Sequence, residues 1–253
     1  MGEGNLSGLL TAFRFLTILP LGRGKVVDAP HMARSMAFFP LVGAWLGLLL
    51  LLMDRVLVRV FPHLVVAALL VGILALITGG LHLDGFADTL DGLFGGRGDR
   101  ARTLDIMKDS RIGAMGVVGL VVLLGIKFTS IDSMGAAYKG GALVLMPTVA
   151  RWSQVQLAFK ATYARKEGSL AQPFVENLEI SHFLAASAGA ALVSYIAAGV
   201  SGLIVLAGAG IVTMLAKLYF TRRIGGITGD TIGAVSEMNE VLVLLAFLVI
   251  GGV

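Results

Sequence analysis

Apolar residues in this chain come in long unbroken runs, not in the three-and-four spacing of a helix half buried in water. A helix needs about 20 mostly apolar residues to cross a bilayer. Seven segments have that character: 36–53, 64–83, 112–131, 141–159, 183–199, 202–220 and 234–253. The stretch 6–21 (LSGLLTAFRFLTILPL) is apolar but short, with Arg14 inside it and Pro20 near its end, and reads as an interfacial or re-entrant helix. Polar residues gather in two places, an acidic segment at 80–116 and a glycine-rich loop at 222–240. No internal repeat, low-complexity tract or leftover soluble domain is visible. The pattern predicts an all-α, polytopic integral membrane helix bundle of about seven transmembrane helices, one membrane domain over 1–253.

Composition and charge sharpen this picture. The chain is 57% hydrophobic and 14% charged, with mean hydropathy +0.88, whereas soluble domains carry about 25% charge. Absence of cysteine excludes disulfides, iron–sulfur clusters and thiolate zinc sites. The four histidines, at 31, 63, 82 and 182, are too scattered for a histidine-rich metal site. Net charge is +4, better read by position than as affinity for nucleic acid, so no nucleic-acid partner is expected. The start of the chain lacks a signal-peptide pattern, so insertion through its own spans is expected. With the N-terminus in the cytoplasm, fourteen Lys and Arg fall inside (Arg14, Arg23, Lys25, Arg34, Arg97, Arg100, Arg102, Lys108, Arg111, Lys160, Arg165, Lys166, Arg222 and Arg223). Only Arg55, Arg59 and Lys139 fall outside, a strong positive-inside bias. It predicts a multi-pass protein of the cell (inner) membrane with its acidic segment cytoplasmic. The run AGAG at 207–210 would let helices approach closely, and a homo-oligomer is compatible with the sequence.

The chemistry-bearing feature is a row of aspartates. Asp84, Asp88, Asp91, Asp99, Asp105 and Asp109 lie between Leu83 and Ser110 with no glutamate among them. On a helix, Asp84, Asp88 and Asp91 fall within roughly 60° of one another, and Asp105 and Asp109 are again four apart. Two carboxylates about 4 Å apart repel by about 4 kcal/mol at an effective dielectric of 20. Either these acids belong to a solvated loop balanced by nearby Lys and Arg, or a hard cation such as Mg2+ holds them. Helical recurrence, the glycines at 85, 92, 95 and 96, and the start of the cluster at the end of a span favour the cation. A divalent metal at such a site neutralises a diphosphate and its leaving group. Asp84, Asp88, Asp91, Asp105 and Asp109 are the candidate ligands.

Other residues carry both a functional and a structural reading. Lys108 and Arg111, flanking Asp109, suit phosphate or are flanking charge. Arg151 inside the fourth span is either a substrate contact or half of a structural pair; Lys127 is read as snorkelling. In GGITGDTIGAVSE, Thr228, Asp230 and Thr231 either cap the next helix or wall the site, with Asp230 or Glu237 near substrate. His82 is either a helix-end residue or a metal or phosphate contact. Trp45 and Trp152 read as lipid-facing or packing residues.

Asp88-Thr-Leu-Asp91-Gly92 followed by Asp105-Ile-Met-Lys-Asp109 resembles the signature of the CDP-alcohol phosphotransferases, integral membrane enzymes that cleave a nucleotide diphosphate bond. The interval is shorter here by about a turn, and Leu93-Phe94 stands where that family has Ala-Arg. LHLDGFADTLDGLFGG, IMKDSRIGAMGV and GGITGDTIGAVSE, together with TAFRFLTILP near the start, are more similar to the cobalamin synthase family. That resemblance implies that the alcohol of α-ribazole, or of its 5'-phosphate, attacks the cobinamide phosphate of adenosylcobinamide-GDP, releasing GMP with Mg2+ as cofactor. By analogy with the last acid of the CDP-alcohol phosphotransferase pattern Asp109 is the candidate general base; on the functional reading of their positions Arg151, Asp230, Thr228 and His82 are the candidate substrate contacts. The alternatives are a CDP-alcohol phosphotransferase acting on a lipid, a divalent-cation transporter, whose acids would sit at mid-membrane, and a non-enzymatic scaffold.

Overall fold

The computed structural model describes residues 2–21, 28–165 and 171–251; Arg23, Lys25 and Lys166 of the charge count lie outside them. Among the described residues the chain is helical throughout, as expected. Helix α1 spans Gly2–Leu16, α2 Ala29–Ser35, and a 3-10 turn at Met36–Phe38 leads into α3, Phe39–Leu57. Then follow α4 (His63–Ile77), α5 (Leu81–Gly95), α6 (Arg100–Ile106), α7 (Ala114–Ser133), α8 (Ala136–Ala158), α9 (Gln172–Glu176), α10 (Ile180–Ile224) and α11 (Gly229–Gly251). Six of the seven expected spans fall on helical residues as far as these are described; the span 64–83 is divided between α4 and α5. By length and hydropathy four helical stretches are able to cross a membrane: Ala29–Leu57, α7, α10 and α11. The pair α4 and α5 would make a fifth if counted as one bent span.

Two departures from the sequence pattern, in α4 and α8, have clear causes, and one expected break is present. Expected span 64–83 stops at Ile77, because Gly79 and Gly80 take φ of +63° and +68° and turn the chain by 90° into α5. Helix α10 is two helices in one run, broken at Ala198 and at Gly199 (φ +59°), at the expected boundary between the spans 183–199 and 202–220. Helix α8 is long enough to span but too polar by composition, because Lys139, Arg151, Gln154 and Gln156 lie within it. It is the centre of the bundle, buried along nearly its whole length and packed on α3, α10 and α11.

The α3–α8 contact rests on Gly43 and Gly47, a Gly-xxx-Gly stripe. A Cβ on Gly43 would lie 2.7 Å from Thr148 Cα, and one on Gly47 2.6 Å from Val144 Cα. In the AGAG run, Gly210 faces Trp152 and Gln156 of α8, and Gly208 faces no neighbour within 4 Å. Helix α1 buries Ala12 and Leu16 and packs on α2 and α3. Its apolar part, Leu6–Leu16, is too short to cross a membrane, in keeping with an interfacial segment. Trp45 packs edge-on against Phe13, and buried Trp152 donates its ring N–H to Ser187, so both tryptophans are packing residues.

Candidate functional site

Helix α5 lies across the first turns of α7 and α11, and the sequence of all three permits the crossing. A Cβ on Gly85 would sit 2.9 Å from Asp230 Cα, and one on Gly233 3.2 Å from His82 Cα. Only glycine lets the two backbones touch here. The crossing opens a cavity of about 290 Å3, a size at the small end of ligand pockets. Its polar side consists of His82, Asp84, Gln154, Arg165 and Asp230. Its apolar side includes Phe15, Phe39 and Phe174, whose rings pack at centroid distances of 4.6 to 6.0 Å.

Arg165 comes from the segment after α8 and is carried to the cavity by backbone pairing. Ile227 donates its N–H to Thr162 O at 2.9 Å, and Ala164 donates to Ile227 O at 2.8 Å. Gly226 makes room, since a Cβ there would lie 2.9 Å from the Thr162 carbonyl carbon. The Arg165 guanidinium then meets Asp230 at 2.5 Å and donates to Met107 O at 3.3 Å. Three buried polar atoms on cavity residues have no hydrogen-bond partner: Arg165 Nε, His82 Nδ1 and Gln154 Oε1. Buried polar groups are nearly always paired, so these three leave hydrogen-bonding capacity free around one cavity.

The five expected metal ligands do not form one cluster, and the geometry corrects that expectation residue by residue. Asp84, Asp88 and Asp91 share a face of α5, as their spacing required. Asp91 is already used: it accepts N–H bonds from Gly113 at 2.6 Å and Gly116 at 2.9 Å, capping α7. Asp105 is exposed on α6. Asp109 is gripped by Arg111 in a two-pronged pair at 2.7 to 3.2 Å, which holds its carboxyl near 2, too weak a base for the role expected of it. Lys108 is exposed, and the trio Lys108, Asp109 and Arg111 does not line the cavity. The tight α5–α6 turn, with Arg97 at φ +49° and Gly98 at +98°, sets which way α6 faces.

The charge at the cavity remains unbalanced. Partial burial, reinforced by Asp84, Asp230 and Asp91, pushes the Asp88 carboxyl up to about 7, with Arg165 opposing. Among the described residues no three His, Asp or Glu already stand in a metal-holding arrangement. Mg2+ does not require one: it keeps several waters and takes one or two carboxylates plus substrate phosphates. Asp84, Asp88 and Asp230 therefore fit that ion in donor type, and Asp84 and Asp88 have no cation paired with them among the described residues.

Two expected substrate contacts prove structural. Thr228 is fully buried and caps α11: its Oγ1 accepts the Thr231 N–H at 3.2 Å, and Thr231 Oγ1 accepts the Thr228 N–H at 2.8 Å. Arg151, 1% exposed, donates to Glu240 at 2.8 Å and Ser236 at 3.0 Å. Lys127 does not snorkel; it is buried against Glu237 and, at 2.6 Å, Glu240. By contrast His82 and Asp230 do line the cavity. Arg165 and Gln154 are the cavity residues that sequence reasoning missed.

Comparison with known proteins decides the family. The family model described as Cobalamin-5-phosphate synthase matches residues 8–248. The chain belongs to that family. It is 44% identical over 241 residues to the adenosylcobinamide-GDP ribazoletransferase of Geotalea daltonii, covering 95% of this chain and 96% of the relative. It is 40% identical to that of Syntrophobacter fumaroxidans (93% and 96% covered) and 35% identical to that of Acinetobacter baumannii (94% and 95%). No solved structure matches. Two of the quoted motifs, LHLDGFAD and GGITGD, supply facing walls of the cavity.

Proposed function

We propose that the chain is an adenosylcobinamide-GDP ribazoletransferase of cobalamin biosynthesis, dependent on Mg2+, with its site in the cavity between α5 and α11. The kinship over residues 8–248 carries the reaction, and the partnerless polar atoms carry the location. The hydroxyl of α-ribazole, or of its 5'-phosphate, forms a new bond to the cobinamide phosphorus. The bond from that phosphorus to the bridging oxygen breaks, GMP leaves with the electron pair, and the hydroxyl proton is lost.

Asp84, Asp88 and Asp230 would hold Mg2+, which supplies neutralising charge for the diphosphate. Arg165, whose planar fork matches phosphate oxygens, binds the diphosphate beside them; its pairing with Asp230 keeps it in place beforehand. Phe15, Phe39 and Phe174 give an apolar wall suited to the flat base of a nucleoside. Phosphoryl transfer calls for positioning and charge stabilisation more than for covalent help from the protein, and these residues offer both. The basic bias of the sequence supports a cytoplasmic cavity in the inner membrane.

The test is GMP release from adenosylcobinamide-GDP and α-ribazole by protein in phospholipid vesicles, with Mg2+ and then with chelator. GMP release that survives chelation would refute the metal role. A chain that released CMP from a CDP-lipid instead would be a lipid phosphotransferase.

A further inference from the structure

On the far side of α5 from the aspartates, two apolar hollows run together along the bundle. One of about 840 Å3 lies between α5, α7 and α11, and one of about 380 Å3 between α5, α10 and α11. They share Phe86, Leu90, Val212 and Met238, so they form a single groove. None of its lining residues belongs to the catalytic cavity.

The groove has a basic mouth. Its α10 wall consists of Val212, Leu215, Ala216 and Tyr219, spaced by three and four. The same helical stripe continues onto Arg222 and Arg223. The Arg223 guanidinium lies 3.5 Å from where a Cβ on Gly98 would stand, so it sits against the turn that follows α5. Its Nε is buried without a hydrogen-bond partner. Among the described residues neither Arg222 nor Arg223 makes an ion pair.

We propose that this groove seats an acyl chain of an anionic phospholipid whose phosphate is held by Arg222 and Arg223. An apolar channel along membrane helices suits a hydrocarbon chain, and two neighbouring guanidinium forks at its end suit a phosphate monoanion. A zwitterionic lipid fills the channel equally well but cancels its own phosphate charge at the mouth.

Purified full-length protein in mild detergent is titrated with dioleoyl phosphatidylglycerol, dioleoyl phosphatidylcholine or inorganic phosphate, and followed by native mass spectrometry and thermal unfolding. Phosphatidylglycerol binds and raises the unfolding temperature more than phosphatidylcholine, and phosphate alone does neither. Joint Arg222→Gln and Arg223→Gln weakens phosphatidylglycerol binding about 30-fold and leaves phosphatidylcholine unchanged. Arg222→Gln alone, at an exposed position, gives a smaller loss of the same kind should the double variant misfold. Val212→Trp, which fills the channel, weakens both lipids. Equal binding of the two lipids overturns the proposal, as does a double variant that keeps the preference. So does stabilisation by phosphate alone, or a lipid-free dimer that Val212→Trp dissociates.

Discussion

The cavity at the start of α11 and the ion network roughly two to three turns further along the same helix hold charge in opposite ways. In the network, Lys127 and Arg151 face Glu237 and Glu240, two cations against two acids, all nearly or wholly buried. At the cavity Asp84 and Asp230, with Asp88 close by, face Arg165, the one cation among its described lining residues. The network is balanced in charge, a device for joining α7, α8 and α11 where neither lipid nor water solvates a charge. The cavity is open, with net negative charge left over. The difference teaches that an ionisable residue in a membrane protein points to chemistry when its charge is left unbalanced, and to architecture when its partners complete it.

The sharpest way to break this comparison is to unbalance the network. Glu240→Gln removes the acid shared by Lys127 and Arg151 and should destabilise the fold by about 3–5 kcal/mol. Thermal unfolding in detergent checks it, and specific activity per folded molecule should hold within about threefold. A stable variant with lost turnover would make the network catalytic. Next in size, Asp84→Asn, Asp88→Asn or Asp230→Asn should each cut GMP release at least about 100-fold, a loss of about 2.7 kcal/mol in transition-state stabilisation. Asp105→Asn should stay within about twofold; equal damage at Asp105 would restore the larger metal cluster read from the sequence. Smaller still, Arg165→Lys keeps the charge but loses the fork and should cost about tenfold in kcat/KM.

The finest test is pH. Asp88 in the folded chain sits near 7, against about 3.9 for an unfolded aspartate. Folding thus tightens its proton, and the stability this gives the ion-free protein is complete below about pH 4 and lost as pH rises to about 7. Asp88→Asn, which does not ionise, should therefore match the wild type near pH 4 and exceed it above pH 7 in chelator. Half-saturating Mg2+ for the wild type should rise as pH falls below 7, because proton and metal compete for one carboxylate. A flat profile would remove Asp88 from the metal site.

What the sequence determined was what periodicity and backbone freedom determine. Long apolar runs dictated helices and their burial in a bilayer. The spacing of Asp84 and Asp88 set them on one face, and the glycines at 85 and 233 made that face able to meet another helix. The stripe of Gly43 and Gly47 is equally a matter of spacing, and it sets the α3–α8 contact. What only tertiary structure decided was direction. Spacing within α6 says nothing about where a turn at positive φ aims Asp105. Arg165 stands 65 residues from Asp230, and it is the pairing of Ile227 with Thr162 and Ala164 that unites them. A charge's role depends on what neutralises it, and partners brought together by folding lie beyond any local pattern.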